Sequence, residues 1–327
     1  MPAWWVPPCW QKSVCSFLPT LFMFSHIRRV LCGLTLIACS AGLAFRAQNS
    51  PFIGVVLQGQ LGNQMFQIAT AYAYALDHHL QLYVPSLSKQ TKWGVPVNRE
   101  TMFRRVCGKD YPYWPRAAYH EPRFGYEPLP SCVNRQIIGF FQSEKYFAHH
   151  RREILDLFAY DQKDIDLVQE RYPQLVTEPH LVGVQLRSYL REDVSESHPT
   201  YGREYFRQAM SQFPPECLFV VVSDRIELAK RILSDLPHRM LFVEKQSYYH
   251  DMLVLSLCQD FVLTNSTFGW WGAWLSEAPN KRVITPSPWF GPAYAELDTK
   301  DIVPESWEII HCPQAILDPK TAPPEAF

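Results

Sequence analysis

The sequence predicts an α/β protein of two Rossmann-like domains facing a cleft. Short apolar runs alternate with longer segments of helical period, twice along the chain. Polar loops follow several of those runs, and open α/β sheets hold ligands at the carboxyl ends of their strands. A chain of 327 residues, 47% hydrophobic and 14% aromatic, is large enough for two cores.

The elements follow in order. Phe52–Leu57 reads as a buried strand, Gln58–Gln64 as a loop, Met65–His78 as a helix and Leu80–Val84 as the next strand. This strand, loop, helix, strand order opens a doubly wound domain. Residues 85–130, rich in Pro, Tyr and Trp, read as irregular. Gln136–Phe141 reads as a strand, and Ser143–Phe158 and Ile165–Glu170 as helices. Residues 173–179 make a crossover, so the domains are expected at 51–178 and 179–327. In the second half, Leu181–Leu186, Cys217–Val222, Met240–Val243, Phe261–Thr264 and Arg282–Thr285 read as strands. Gly202–Phe213, Ile226–Leu233, Tyr249–Cys258 and Phe268–Leu275 read as the helices between them, and a Pro- and aromatic-rich tail begins at Pro286.

Composition excludes several classes. The formal net charge of −1 leaves no electrostatic footprint for nucleic acid. Nine Cys form neither a CxxC nor a Cys/His metal spacing, and their odd, scattered count does not suggest a disulfide framework. Cys258, in an apolar run, is expected to be a buried thiol.

Residues 1–50 differ from the rest. Arg28 and Arg29 precede the apolar stretch 30–45, which suits a signal sequence or a short membrane anchor. At roughly 16 residues it falls short of the roughly 20 that span a bilayer comfortably. Leu36-Ile-Ala-Cys39 also fits a lipoprotein cleavage box with Cys39 lipidated, and Met23 is an alternative start. The expectation is membrane association through 30–45, with the remainder cytoplasmic.

Four polar loops fall at expected strand ends. Asn265-Ser266-Thr267 stands between a strand and an aromatic helix, where free N–H groups and the helix dipole favour an anion and the hydroxyls add donors. The plain alternative is a capped core helix. In Gln58–Gln64, Gly59 and Gly62 let backbone approach a ligand, and Asn63 and Gln64 suit sugar hydroxyls; a tight capped turn explains them equally. The segment is neither a GxGxxG motif nor a P-loop. Gln185 and Arg187 leave a strand on the same side, and a guanidinium there suits a diphosphate, unless it pairs with Glu192 or Asp193. Arg191 is a second candidate cation. Ser223-Asp224 offers a carboxylate to guanine or ribose, or an N-cap to the next helix. Asp251, His198, Glu204, Glu244 and His250 are isolated ionisable residues, each more simply read as structural.

Together these segments resemble glycosyltransferase family 11, the alpha-1,2-fucosyltransferase family. Gly59-Gln-Leu-Gly-Asn-Gln-Met-Phe-Gln67 matches the family's G-x-L-G-N-Q-M-F-Q. Asp251–Cys258 nearly completes D-x-x-L-x-S-x-C, with Val254 at the Leu position, and Ser266–Leu275 matches S-T-F-x-W-W-x-A-W-L. Ser223-Asp224 and Pro288-Trp-Phe290, with Pro304 and Trp307, match its other marks, so the resemblance spans about 52–310. It implies a GT-B architecture with an acceptor-side first domain and a GDP-sugar-binding second domain. It further implies GDP-fucose as donor, a galactoside-type glycan acceptor, inversion at the anomeric carbon, and neither cofactor nor essential metal.

By position, the resemblance places Gly62 and Asn63 at the transferred sugar and Arg187 on the diphosphate, with Gln185 beside it and Asn265, Ser266 and Thr267 in support. Ser223 and Asp224 hold the nucleoside, and Asp251 belongs to the same motif set. Arg187 carries the catalytic charge, and Asp193 and His198 are the candidates for a base. The family's H-x-R-R-x-D appears here as Gln185-Leu-Arg187-Ser-Tyr-Leu190, without the His, the second Arg and the Asp. That departure keeps two alternatives open: another donor or linkage, or a non-catalytic glycan or nucleotide binder.

Overall fold

The computed structural model describes residues 50–85, 87–88, 97–106, 117–190 and 192–317, except for the side chains of Glu192 and Asp193. The 30–45 segment, Cys39, Met23 and Arg191 lie outside the described residues. Among those described, no helix is long and apolar enough to cross a membrane.

Two all-parallel sheets organise the chain. The first has the order β2-β1-β4-β3, from Phe52–Val55 (β1), Gln81–Tyr83 (β2), Ala118–His120 (β3) and Arg135–Ile138 (β4). The second has the order β10-β9-β8-β5-β6-β7. Its strands are Leu181–Leu186 (β5), Leu218–Ser223 (β6), Arg239–Phe242 (β7), Asp260–Val262 (β8), Val283–Ser287 (β9) and Glu308–His311 (β10). The helices are Leu61–Asp77 (α1), Arg151–Leu157 (α2), Gln162–Arg171 (α3), Gln174–Thr177 (α4), Glu192–Ser195 (α5), Arg203–Met210 (α6), Ile226–Leu233 (α7), Tyr248–Ser256 (α8) and Thr267–Leu275 (α9). Two parallel α/β halves whose strand ends converge make this the GT-B arrangement.

Both faces of the second sheet are covered, so its central strands read as unbroken apolar runs. Val182, Val184 and Leu186 of β5 pack with Tyr205, Phe206 and Leu228 on one face. Leu181 points to the other face, into a core shared with α1, α8 and α9. That second core crosses from one half to the other. Phe66 of α1 lies 4.4 Å from Trp270 and 5.1 Å from Trp271 of α9, centroid to centroid. Phe147 stacks on Trp271 at 5.3 Å. Trp271 and Trp270 satisfy their indole N–H groups on the carbonyls of Gly62 and Ile302, at 3.0 and 2.7 Å.

Three expectations are corrected. Ser143–Phe158 is not one helix: two 3-10 turns, Glu144–Tyr146 and Ala148–His150, precede α2. Burial of Phe147 against the tryptophans fixes a backbone outside the helical region, with φ −145° and ψ −5°. The stretch 85–130 contains β3, and the tail contains β10. Both are edge strands of three or four residues, with only Ile310 of β10 buried. They therefore lack the apolar run by which a central strand announces itself.

Candidate active site

The register of β5 on β6 sets Leu186 opposite Ser223, so Arg187 and Asp224 leave the sheet side by side. Arg187 Nη1 lies 3.2 Å from Asp224 Oδ2, and the two side chains keep 27% and 28% exposure, open enough for a ligand to reach. Asp224 Oδ1 accepts from the Ser188 N–H at 3.0 Å. Asp224 therefore crosses to the β5 loop and does not cap α7, whose N-cap residue is Arg225. Burial raises its carboxyl above the usual range, against the pull of Arg187. Ser223 Oγ stays local, accepting from the Arg225 N–H at 3.1 Å.

Arg187 also reaches the first half, donating from Nη2 to Gln60 Oε1 at 3.3 Å. Its guanidinium lies 5.5 Å from the Tyr189 ring centroid, and its N–H donates to Thr264 Oγ1 at 3.1 Å. Gln60 and Tyr189 were not singled out in the sequence. The signal for Gln60 was its place in the Gly59–Gln67 motif, just before α1.

Helices α1 and α9 meet end to end beside this cluster. Thr267 Oγ1 donates to Asn63 Oδ1 at 3.1 Å, and Gln142 Nε2 donates to the same oxygen at 2.9 Å. A Cβ on Gly62 would stand 2.6 Å from Thr267 Oγ1, so Gly62 serves helix approach and leaves no room for a ligand on that face. Ser266 is the N-cap of α9 and accepts from the Phe268 N–H at 3.3 Å.

Gln185 does not line the open space. It is 2% exposed and accepts from Thr264 Oγ1 at 2.9 Å. A Cβ on Gly269 would stand 2.7 Å from its Oε1, so the missing side chain of α9 leaves the volume that Gln185 fills. Asp251 sits in the first turn of α8 and accepts from Gln246 Nε2 at 2.9 Å. Burial pushes its carboxyl up to about 6. The same turn touches the first half through Tyr248, which donates to Asn98 Oδ1 at 2.6 Å. Asn98 in turn donates to Gln64 at 3.1 Å.

Two buried oxygens flank the cluster without a partner among the described residues: Ser188 Oγ and Asn265 Oδ1. The Asn265 amide donates to Trp289 O at 2.9 Å, which fixes the carbonyl oxygen opposite it. Buried polar atoms are rarely left unsatisfied, so both mark places where a bound molecule or solvent completes the bonding.

His198 is enclosed by aromatic rings, with centroids at 4.8 Å for Tyr189, 5.4 Å for Phe290 and 6.1 Å for Tyr294. Ser197 Oγ donates to Val194 O at 2.9 Å and lies 2.9 Å from His198 Nδ1. With its proton committed, the Ser197 oxygen accepts, which places the imidazole proton on Nδ1 and leaves Nε2 as an acceptor. Burial, reinforced by the charge of Arg187, lowers the imidazole below its ordinary 6.5. Asp193 lies in α5, but its side chain is outside the described residues.

The chain is similar to several known proteins. An alpha-1,2-colitosyltransferase of Escherichia coli is 26% identical over 282 residues, 77% of this chain and 96% of that protein. The galactoside alpha-(1,2)-fucosyltransferase 2 of Oryctolagus cuniculus is 26% identical over 298 residues, 81% and 80% of the two chains. Among solved structures, the fucosyltransferase NodZ from Bradyrhizobium aligns with a TM-score of 0.44 at 12% identity, over 68% of this chain and 92% of that one. The family model described as glycosyl transferase family 11 matches residues 34–308, and the protein belongs to that family of transferases.

Proposed function

We propose that the protein transfers L-fucose from GDP-fucose to the 2-hydroxyl of a galactoside-type glycan, with inversion at the anomeric carbon. The observation that carries this reading is Arg187, held at a strand end by Asp224 and bridged to Gln60 of the opposite half. In the reaction, the acceptor oxygen forms the new bond to the anomeric carbon while the bond to the diphosphate oxygen breaks. The departing electron pair goes to GDP. Arg187 and the N-terminus of α9 meet that developing charge, so the step proceeds without a metal. The acceptor proton goes to His198 Nε2, whose lone pair is kept available by the Nδ1–H to Ser197 contact. Asp224 holds the nucleoside, and the unpartnered Ser188 Oγ and Asn265 Oδ1 complete the donor's hydrogen bonds.

The test is GDP-fucose turnover against a set of galactoside acceptors. Arg187→Ala is expected to lower kcat by roughly 100- to 1,000-fold with the fold retained, the usual cost of losing one charge-stabilising donor. Full activity in that variant overturns the assignment. A second reading has a specific support. The E. coli relative is named for colitose, the 3-deoxy analogue of L-fucose, and matches over 96% of its length. Turnover of a GDP-linked deoxy sugar in preference to GDP-fucose selects that reading.

A further inference from the structure

The C-terminal end of α1 carries a cluster far from the donor site. Asp77, the last residue of α1, faces His149 and His150 of the 3-10 turn that precedes α2. Its carboxylate lies 3.0 Å from His149 Nε2 through one oxygen and 2.7 Å from His150 Nε2 through the other. All three donor groups fall within 4.8 Å of one another. The helix of 17 residues separates them by roughly 22 Å from Gly62 and Asn63 near its other end.

We infer that Asp77, His149 and His150 form a binding site for a borderline first-row divalent cation of the Zn2+ class. Two imidazoles and one carboxylate are the donor set such ions prefer, whereas Mg2+ and Ca2+ require oxygen ligands. The spacing is close to what coordination needs. Ligands about 2.0 to 2.1 Å from a tetrahedral ion stand about 3.3 Å apart, only a few tenths of an ångström wider than the observed pairs. The side chains have the freedom to open that far, being 50%, 40% and 21% exposed for His149, Asp77 and His150. The backbone beneath them is fixed, because Phe147 anchors the turn against Trp271. For the ion to bind, each ring carries its proton on Nδ1 and offers the Nε2 lone pair. Glu153 Oε2 stands 3.8 Å from His150 Nδ1, placed to orient that ring as carboxylates orient metal-bound histidines. His78 is not part of the set, since its ring packs on Tyr74 at 4.1 Å. Bound there, the cation fastens the end of α1 to the start of α2.

The site is independent of the proposed reaction and is tested by binding. Calorimetric titration of the metal-free full chain with ZnCl2 is expected to give one more equivalent than the His149→Ala/His150→Ala double variant. Asp77→Asn is expected to weaken that equivalent at least tenfold, and MgCl2 to give no binding. Equal zinc stoichiometry in wild type and double variant overturns the proposal, as does an equal response to MgCl2. A readout on the unaltered protein is histidine modification by diethyl pyrocarbonate, mapped by mass spectrometry. Zn2+ is expected to protect His149 and His150 together and leave His78 and His79 unprotected. Unchanged labelling of His149 and His150 counts against the site.

Discussion

Two regions join the halves of this protein, and they do so by opposite means. The seam between α1 and α9 is aromatic and closed: Phe66, Phe147, Trp270 and Trp271 are fully buried or nearly so, and both indole N–H groups are satisfied. The strand-end cluster is polar and open: Arg187 and Asp224 are partly exposed, and the nearby Ser188 Oγ and Asn265 Oδ1 have no partner among the described residues. One region spends its hydrogen-bonding capacity internally, and the other holds it available. Much of the S-T-F-x-W-W motif therefore builds the frame, and the open charge of Arg187 stands beside it.

The largest expected effect breaks the first region. Trp271→Ala removes a fully buried indole from between Phe66, Phe147 and Phe158, and is expected to destabilise the protein by about 3 to 5 kcal/mol in urea unfolding. A loss near zero shows that the seam does not join the halves. In the second region, His198→Gln keeps a hydrogen-bonding side chain and removes the proposed base. If His198 is the base as proposed, the variant is expected to lower kcat by roughly 100-fold or more, with KM for the donor little changed. The wild-type rate is expected to fall on acidification only below about pH 6.5, because burial and Arg187 hold the imidazole below its ordinary value. The variant loses that limb, and its persistence points to another base.

Asp251 sharpens the boundary between the regions. Its carboxyl, raised to about 6 by burial, is charged at pH 7.5 at a cost to the folded state. A folded value above the unfolded one means that wild-type stability rises as pH falls from about 6 toward 4. Asp251→Asn is expected to be more stable at pH 7.5 by up to about 3 kcal/mol and to lose that pH dependence. Reduced donor binding in the same variant assigns Asp251 to the site, and unchanged binding makes its charge structural. The smallest effect concerns the helix ends. Thr267→Val removes the donor to Asn63 and is expected to cost about 1 kcal/mol, measured by chemical denaturation, with catalysis changing far less than in His198→Gln.

The sequence was most legible where burial on both faces imposed an unbroken pattern. Leu181–Leu186 and Ile226–Leu233 have the bounds read from sequence, because one is a central strand and the other an amphipathic helix over a core. The edge strands β3 and β10 were hidden, since short edge strands carry little buried surface. Arg187, Asp224 and the 265–267 turn were legible as strand-end residues, yet their partners were not. Arg187 and Asp224 meet through the register of β5 on β6, and Gln60 joins them from 127 residues away. Gln185 was read as facing the ligand, but the space opened by Gly269 draws it under α9. The Asp77, His149 and His150 group escaped for the same reason, with no local spacing to announce it.

By itself, the sequence determined the alternation of strands and helices, the polar loops at the strand ends and the family, because these depend on short-range periodicity and contiguous motifs. The tertiary structure alone decided which of those polar groups are consumed in holding the halves together and which remain open. Hydrogen bonds such as Thr267 to Asn63 and Arg187 to Gln60 span 204 and 127 residues, and only the packing of α9 on α1 brings such groups within reach.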